Sequence, residues 1–140
     1  MYTRILVPVE HSDADRTIID HVQALAKMCG ATLVLLHVAD GWAARAYDEL
    51  QLRDSKEIKE DRAYLDGLAA ELRGRGFPVE THLAMGDPAA EIVRAADAER
   101  ADLVAMATHG HGLVKDILLG ATADRVRHHL KVPVLLLQAQ

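Results

Sequence analysis

The residues best suited to chemistry lie in a glycine-bearing segment, Met106–Thr122, in the last third of the chain. Gly110, Gly112 and Gly120 let the backbone approach a bound anion closely and adopt a positive φ. We expect the last helix to begin at about Gly120, and a helix N-terminus attracts anions because its first N–H groups lack partners. The segment predicts a cradle for a nucleotide phosphate, with Thr122 adding a hydroxyl. Glycines are also common in strand-to-helix turns that bind no ligand, and this alternative stays open.

A second polar segment, Glu10-His11-Ser12, follows the first predicted strand. In open parallel sheets, ligands bind beyond the carboxyl ends of the strands, where the strand order reverses. Glu10 can accept a hydrogen bond there from a ribose hydroxyl or an adenine amine, or it can be a solvated carboxylate near a helix start. Adjacent residues at a strand end point apart, so His11 and Ser12 do not form a nucleophile–base pair. We predict no catalytic residue, and at most slow, incidental hydrolysis of a bound nucleotide.

Several acidic and histidine side chains near these segments are candidate metal ligands. Asp13 and Asp15, with Glu10, could hold Mg²⁺ beside a nucleotide, but both aspartates are better explained as charges of a first helical turn. Four of the eight histidines flank the last helix: His109, His111, His128 and His129. No cysteine or carboxylate completes a first coordination shell around them. We therefore predict no metal site.

Five short apolar runs are predicted to be the strands that position these segments: Ile5–Val9, Ala31–Val38, Val79–Leu83, Ala101–Met106 and Val132–Leu137. Helical patterns separate them, from Ser12 to Gly30, from Lys56 to the Gly74–Gly76 region, from Asp87 onwards and from about Gly120 to Leu130. The least regular stretch, Asp40 to Ser55, is expected to be partly helical. The third strand alternates apolar and polar residues, which suggests a sheet edge.

This alternation predicts a single α/β domain over residues 1–140. Its fold class is a doubly wound, five-stranded parallel sheet with helices on both faces, similar to a Rossmann fold. The net charge is −5 without a basic cluster, which gives a nucleic-acid partner no electrostatic support. A single cysteine, Cys29, excludes an internal disulfide and is expected to pack in the core. No signal peptide or membrane span is visible, so we expect a cytoplasmic protein without a membrane partner.

Six blocks, in order and spacing, carry a resemblance to the universal stress protein family along essentially the full chain. They are ILVPVEHS from Ile5, LLHV from Leu35, GDPAAEI from Gly86, ADLVAMATHG from Ala101, LLGATADRV from Leu118 and PVLLL from Pro133. The resemblance implies the adenine-nucleotide α-hydrolase-like variant of the predicted fold.

Some members of that family bind ATP through a Gly-x-x-Gly, nine-residue, Gly-Ser/Thr pattern after the fourth strand. On this chain the spacing fits, but Ala107 replaces the first glycine and Ala121 replaces the hydroxyl residue, whereas Gly110 and Gly120 match. Glu10 stands where the ATP binders usually have aspartate. The resemblance implies that Pro8, Val9 and Val38 wall the adenine, with Met106 beside it and Thr122 next to the pattern. His111, Gly112 and Lys115 are further candidates for phosphate contacts.

The resemblance implies a homodimeric stress-response regulator that binds ATP or another adenine nucleotide, with Mg²⁺ as the candidate counter-ion. The expected dimer contact is the C-terminal strand, Val132–Leu137, which is too apolar to remain a bare edge. A further protein partner is expected, without an identity. Two alternatives stay open: a nucleotide-free member that acts through protein–protein interaction, in which Ala107 and Ala121 mark a lost site, and an ATP-hydrolysing enzyme.

Overall fold

Strands and helices alternate along the chain. The computed structural model describes residues 1–40, 51–108 and 114–139. The strands are β1 Arg4–Pro8, β2 Thr32–Asp40, β3 Val79–Gly86, β4 Leu103–Thr108 and β5 Val134–Gln138. The helices are α1 Ala14–Cys29, α2 Gln51–Gly74, α3 Pro88–Ala98 and α4 Val114–His129.

All five strands form one parallel sheet in the order β3-β2-β1-β4-β5. The direction of winding reverses between β1 and β4, so the ligand-binding crevice of this fold opens at the carboxyl ends of these two strands. The predicted doubly wound parallel sheet is confirmed. The strand beginning at Val79 is an edge, as its alternating pattern predicted, and β5 is the opposite edge.

Helices cover both faces of the sheet because successive strand residues point to opposite sides. On one face, Ile5, Val7, Leu33 and Leu35 pack with residues of α1 and α2, and the half-buried Cys29 joins this core as predicted. On the other face, Leu6, Val34 and Leu36 pack with Ala89 and Ile92 of α3 and Ala123 and Val126 of α4. β1 is therefore apolar at successive positions, as expected for a strand buried on both sides.

Two predicted helix boundaries are confirmed by their capping geometry. α1 stops at Gly30, which adopts a φ of 68° and donates its N–H to the carbonyl of Ala26. α3 begins after Asp87, whose carboxylate accepts the N–H of Ala90 at 3.0 Å, and Pro88 occupies the first helical position. The carboxyl edge of β3 therefore leads directly into a well-defined helix start.

Several boundaries differ from the predictions, among them the starts of α4, β5 and α1. α4 begins at Val114 and not at about Gly120, because the segment from Val114 to Leu119 contains no helix breaker and a glycine inside a helix costs only about 1 kcal/mol. β5 begins at Val134 because Pro133 has no N–H to donate; its carbonyl accepts the N–H of Val104 at 3.1 Å. α1 begins at Ala14, with Asp13 before it, and not directly after Ser12.

The amino ends of β1 and β4 are tied together by Asp102. Its carboxylate accepts the N–H of Thr3 at 2.8 Å, the Thr3 hydroxyl at 2.9 Å and the N–H of Arg4 at 3.1 Å. Partial burial disfavours the charged form, but these hydrogen bonds hold the pKa of Asp102 below its ordinary value. The two strands that flank the crevice are thus fixed relative to each other at their far ends.

Within the described ranges, no helix is long and apolar enough to cross a membrane.

Candidate functional site

The reversal of strand order brings several predicted site residues to one edge of the sheet. Pro8 ends β1 and is followed directly by Val9 and Glu10, while Met106 and Ala107 lie near the end of β4. Val38 lies near the end of β2, next to β1 in the sheet. These residues therefore lie at or near the carboxyl ends of neighbouring strands, around the point where the strand order reverses.

The predicted wall residues divide between the two faces of the sheet. Val9 and Ala107 belong to the core under α1 and α2. Val38 and Met106 pack on the face covered by α3 and α4, where Met106 is only 1% exposed. Only the partly exposed members of the set, Pro8 and Val38, present open surface at the carboxyl edge.

Ala107, the first departure from the ATP-binding pattern, lies in extended backbone. It is a residue of β4 and pairs with Leu137 of β5. Among described residues other than glycine, a positive φ occurs only at His11 and Arg100. The absence of glycine at position 107 therefore imposes no strain on the backbone, since any residue adopts an extended conformation.

The second half of the pattern is placed differently from its prediction. Gly120, Ala121 and Thr122 were expected at a helix N-terminus, but they lie well inside α4, which begins at Val114. Only the first four N–H groups of a helix lack partners, so the anion-attracting end belongs to the turn that starts at Val114 and includes Lys115. His109, Gly110, His111 and Gly112 lie outside the described residues.

The loop between β1 and α1 is organised by Asp15, which the sequence analysis interpreted only as a helix charge. Its carboxylate accepts the N–H groups of Glu10 at 2.8 Å, His11 at 2.9 Å and Ser12 at 3.2 Å. The hydroxyl of Tyr64 on α2 donates to the same carboxylate at 2.6 Å, and Asp15 is 2% exposed. Successive N–H groups of this kind form a concave anion-binding nest. Here the protein's own carboxylate fills the nest, so a ligand phosphate has no place in it.

Glu10 emerges from this loop at the reversal point of the sheet. Its N–H is held by Asp15, and its carboxylate accepts the Ser12 hydroxyl at 2.5 Å. The Ser12 hydroxyl therefore donates to Glu10. Glu10, whose carboxylate could accept from a ribose or an adenine, is therefore held both at its main-chain N–H and at its side chain.

His11, next to Glu10, is held in an unusual conformation. Its φ of 64° lies in the left-handed region, which costs a residue with a Cβ about 1 kcal/mol. The ring stacks on Tyr64 with centroids 4.1 Å apart, and Nδ1 lies 2.9 Å from Asp61 Oδ1. Burial and the hydrogen bond to Asp15 raise the pKa of the Tyr64 phenol, so Tyr64 remains a donor. Contacts with α2 therefore hold His11 in its left-handed conformation.

Asp61 on α2 and its second partner, His37, were not predicted from the sequence. His37 is buried in the middle of an apolar strand, and its Nδ1 lies 2.9 Å from the carbonyl oxygen of Val9. A polar residue inside a continuous apolar run signals a buried hydrogen bond, because buried polar groups are almost always paired. The signal was present in LLHV, but it does not identify the partner.

Around the start of α3, an ion pair links two helices. Arg125 of α4 donates to both carboxylate oxygens of Asp87, at 2.9 and 2.8 Å. This contact and the N–H of Ala90 lower the pKa of Asp87. The helix that contains Gly120 and Ala121 is thereby tied to the end of β3.

Across the part of the chain that the structure describes, no cluster of three histidine, cysteine or acidic side chains is arranged to hold a metal ion.

Comparison with known proteins gives the family of this fold and site. The model of the universal stress protein family matches residues 1–138. The chain belongs to the universal stress protein family. Its relatives include the universal stress protein MJ0577 of Methanocaldococcus jannaschii, 28% identical over 155 residues that cover 99% of this chain and 96% of the relative.

Solved structures of universal stress proteins share the fold. The structure of MJ0577 superimposes with a TM-score of 0.88 at 29% identity, covering 100% of this chain and 98% of the other. A universal stress protein in complex with cAMP gives a TM-score of 0.71 at 21% identity, covering 99% and 98% of the two chains. One from Archaeoglobus fulgidus in complex with dAMP gives 0.71 at 23% identity, covering 96% and 97%.

Proposed function

We propose that this universal stress protein binds an adenine nucleotide, with ATP as the expected ligand, in the crevice between β1 and β4. The observation that carries the proposal is the fixed carboxylate of Glu10 at the point where the strand order reverses. In parallel sheets this is the position of bound nucleotides. Two proteins of the same fold bind cAMP and dAMP, which supports adenine as the base without selecting the phosphate chain.

The direction of the bound nucleotide follows from the filled nest in the β1–α1 loop. Asp15 accepts the N–H groups of residues 10–12, which leaves no phosphate site in that loop, so we expect the phosphates to extend towards β4 and α4. The first turn of α4, which includes Lys115, supplies unpaired N–H groups and a partial positive charge there. Pro8 and Val38 would contact the adenine, whereas Val9 lies in the core under α1 and α2. Glu10 would accept from the ribose or the adenine amine. Mg²⁺, when present, would be held mainly by phosphate oxygens and water.

Titration calorimetry with ATP and Mg²⁺ tests the proposal. We expect a Kd at or below about 100 μM, and a roughly tenfold weaker Kd for Glu10→Gln, which keeps the shape of the side chain but not its charge. Glu57→Gln, at an exposed position of α2, is the matched charge control and should bind as the wild type does. No heat with ATP, ADP, AMP or cAMP at millimolar concentration would contradict the proposal.

We also propose that the protein acts in the cytoplasm as a homodimeric regulator of a stress response. The support for the dimer is β5, an edge strand on which Leu136 is 41% exposed. Unpaired edge strands of this apolar character are normally covered, and a two-fold axis allows two copies to cover each other.

A nucleotide-free protein that acts through protein–protein interaction is the second candidate. It is favoured by one observation, the placement of Gly120 and Ala121 inside α4, where their N–H groups serve the helix and not a phosphate. Mass spectrometry of the supernatant after denaturation separates the two candidates. Co-purified adenine nucleotide supports the first, and a nucleotide-free supernatant together with silent calorimetry supports the second.

A further inference from the structure

Asp61 of α2 lies between two imidazoles that come from different elements. Its Oδ1 is 2.9 Å from Nδ1 of His11 in the β1–α1 loop, and its Oδ2 is 3.3 Å from Nε2 of His37 in β2. All three side chains are at least partly withdrawn from water. One carboxylate therefore joins a helix, a strand and the loop that carries Glu10.

His37 bridges the main chain before Glu10 and the carboxylate of Asp61. Nδ1 faces the carbonyl oxygen of Val9, which only accepts, so Nδ1 donates to it. On the other side of the ring, Nε2 lies within ion-pair distance of Oδ2 of Asp61.

The two histidines attach the chain on both sides of Glu10. His37 holds the carbonyl of Val9, the residue before Glu10, at 2.9 Å. Asp61 and the ring of Tyr64 hold His11, the residue after Glu10, in its left-handed conformation. Without these contacts, His11 would relax to a negative φ and the direction of the neighbouring peptide groups would change.

We propose that Asp61 is a positioning residue for nucleotide binding, which acts through His11 and His37 to aim the carboxylate of Glu10 into the crevice. This inference rests on the proposed function for its consequence in affinity, but the geometry of the loop can be tested without nucleotide. Asp61 itself does not touch the ligand. Two further side chains contact His11: the ring of Tyr64 stacks on its imidazole, and the carboxylate of Asp15 accepts its main-chain N–H.

Two substitutions of Asp61 separate its position from its charge. Asp61→Ala removes every contact, and we expect a Kd for ATP about tenfold weaker than that of the wild type. Asn can accept from His11 and offers its amide N–H to Nε2 of His37, so Asp61→Asn should remain within about threefold of the wild type. Asp66→Ala, at an exposed position of the same helix, is the control and should change nothing.

A double-mutant cycle shows whether Asp61 acts through Glu10. If it does, Asp61→Ala should weaken binding by less than about twofold when Glu10 is already Gln, because the two effects are not additive for coupled residues. An equal tenfold loss in both backgrounds, or no loss in either, would overturn the positioning role.

Side-chain and amide NMR of the nucleotide-free protein gives the readout that a general loss of stability would not produce. The ring signals of His11 and His37 should move in Asp61→Ala, because both rings contact Asp61. The amide signals of Glu10 and Ser12 should move in Asp61→Ala and not in Asp66→Ala. A wild type that binds no nucleotide would sink the proposed function alone, whereas unmoved loop amides in Asp61→Ala would sink this inference.

Discussion

The carboxylate of Asp15 organises the main chain of the loop before α1 at three successive residues. It receives three main-chain N–H groups and the hydroxyl of Tyr64 while almost completely buried. Replacement by alanine leaves these four donors without an acceptor, and a buried group without its partner costs between about 1 and 3 kcal/mol. We expect Asp15→Ala to lower the free energy of unfolding by about 3 kcal/mol, measured by urea denaturation.

The neighbouring residues provide controls for this prediction. Tyr64→Phe removes one donor and leaves the three N–H bonds in place, so its loss should be about 1 kcal/mol. Asp13→Ala, at an exposed position next to the helix start, should change the stability by less than about 0.5 kcal/mol. If Asp15→Ala were no more destabilised than Asp13→Ala, the carboxylate would not organise the loop.

Tyr64 makes the stability depend on alkaline pH. Burial and the hydrogen bond to Asp15 raise its pKa in the folded protein. Its contribution is therefore complete below the ordinary tyrosine pKa of about 10 and is lost as the pH rises towards the folded value. The difference in unfolding free energy between the wild type and Tyr64→Phe should narrow between pH 9 and pH 11, as followed by urea denaturation at several pH values. A gap of constant size would contradict the raised pKa.

At the scale of the elements, the start of α3 combines a helix cap with a bridge to α4. Asp87 caps the helix and pairs with Arg125, and both contacts lower its pKa. Asp87→Ala should cost about 1 kcal/mol, whereas Asp87→Asn keeps a good cap and should cost less than about 0.5 kcal/mol. Thermal unfolding at neutral pH distinguishes the two variants. An equal loss of stability in both would show that the ion pair with Arg125, and not the helix cap, stabilises this region.

Acid should remove this contribution of Asp87. Because the pKa is lowered in the folded protein, the stabilisation is present above the ordinary carboxyl pKa of about 4 and is lost as the pH falls below it. The advantage of the wild type over Asp87→Asn should therefore disappear in acid.

Most strands and helices were predictable from the sequence, because burial and helix capping each require particular residues. A strand buried on both faces needs a continuous apolar run such as Ile5–Val9, and a helix end needs a cap such as Gly30 or Asp87. The start of α4 was misplaced because a glycine was interpreted as a boundary, although nothing in the preceding six residues opposes a helix.

The contacts of the site were less predictable because they join residues that are distant in the chain. His11 meets Asp61 across 50 positions, and Tyr64 meets Asp15 across 49. Local pattern indicates that a buried polar residue such as His37 needs a partner, but only the packing of α2 against the sheet selects it. The location of Glu10 was predictable because it depends on strand order alone.

For the whole molecule, the two sheet edges differ in what they expose. β5 presents Leu136, 41% exposed, whereas β3 presents Met85, 45% exposed, along with charged and polar side chains such as Glu80 and His82. If two copies pair through β5, Leu136→Lys should shift the protein to monomers, because it places charges in an apolar contact. Sedimentation velocity measures the shift, with Met85→Lys as the matched control on the other edge. A wild type that sediments as a monomer, or a dimer lost in Met85→Lys alone, would contradict the dimer through β5.

Asp15 can also be regarded as a bound anion that the chain carries with it. Removing the side chain in Asp15→Ala leaves the three N–H groups and the Tyr64 hydroxyl around a vacancy of carboxylate size. Formate, the same headgroup without its tether, should therefore rescue the variant by mass action and raise its melting temperature in proportion to the logarithm of its concentration. In the wild type the Asp15 carboxylate already occupies this position, so formate should not raise its melting temperature.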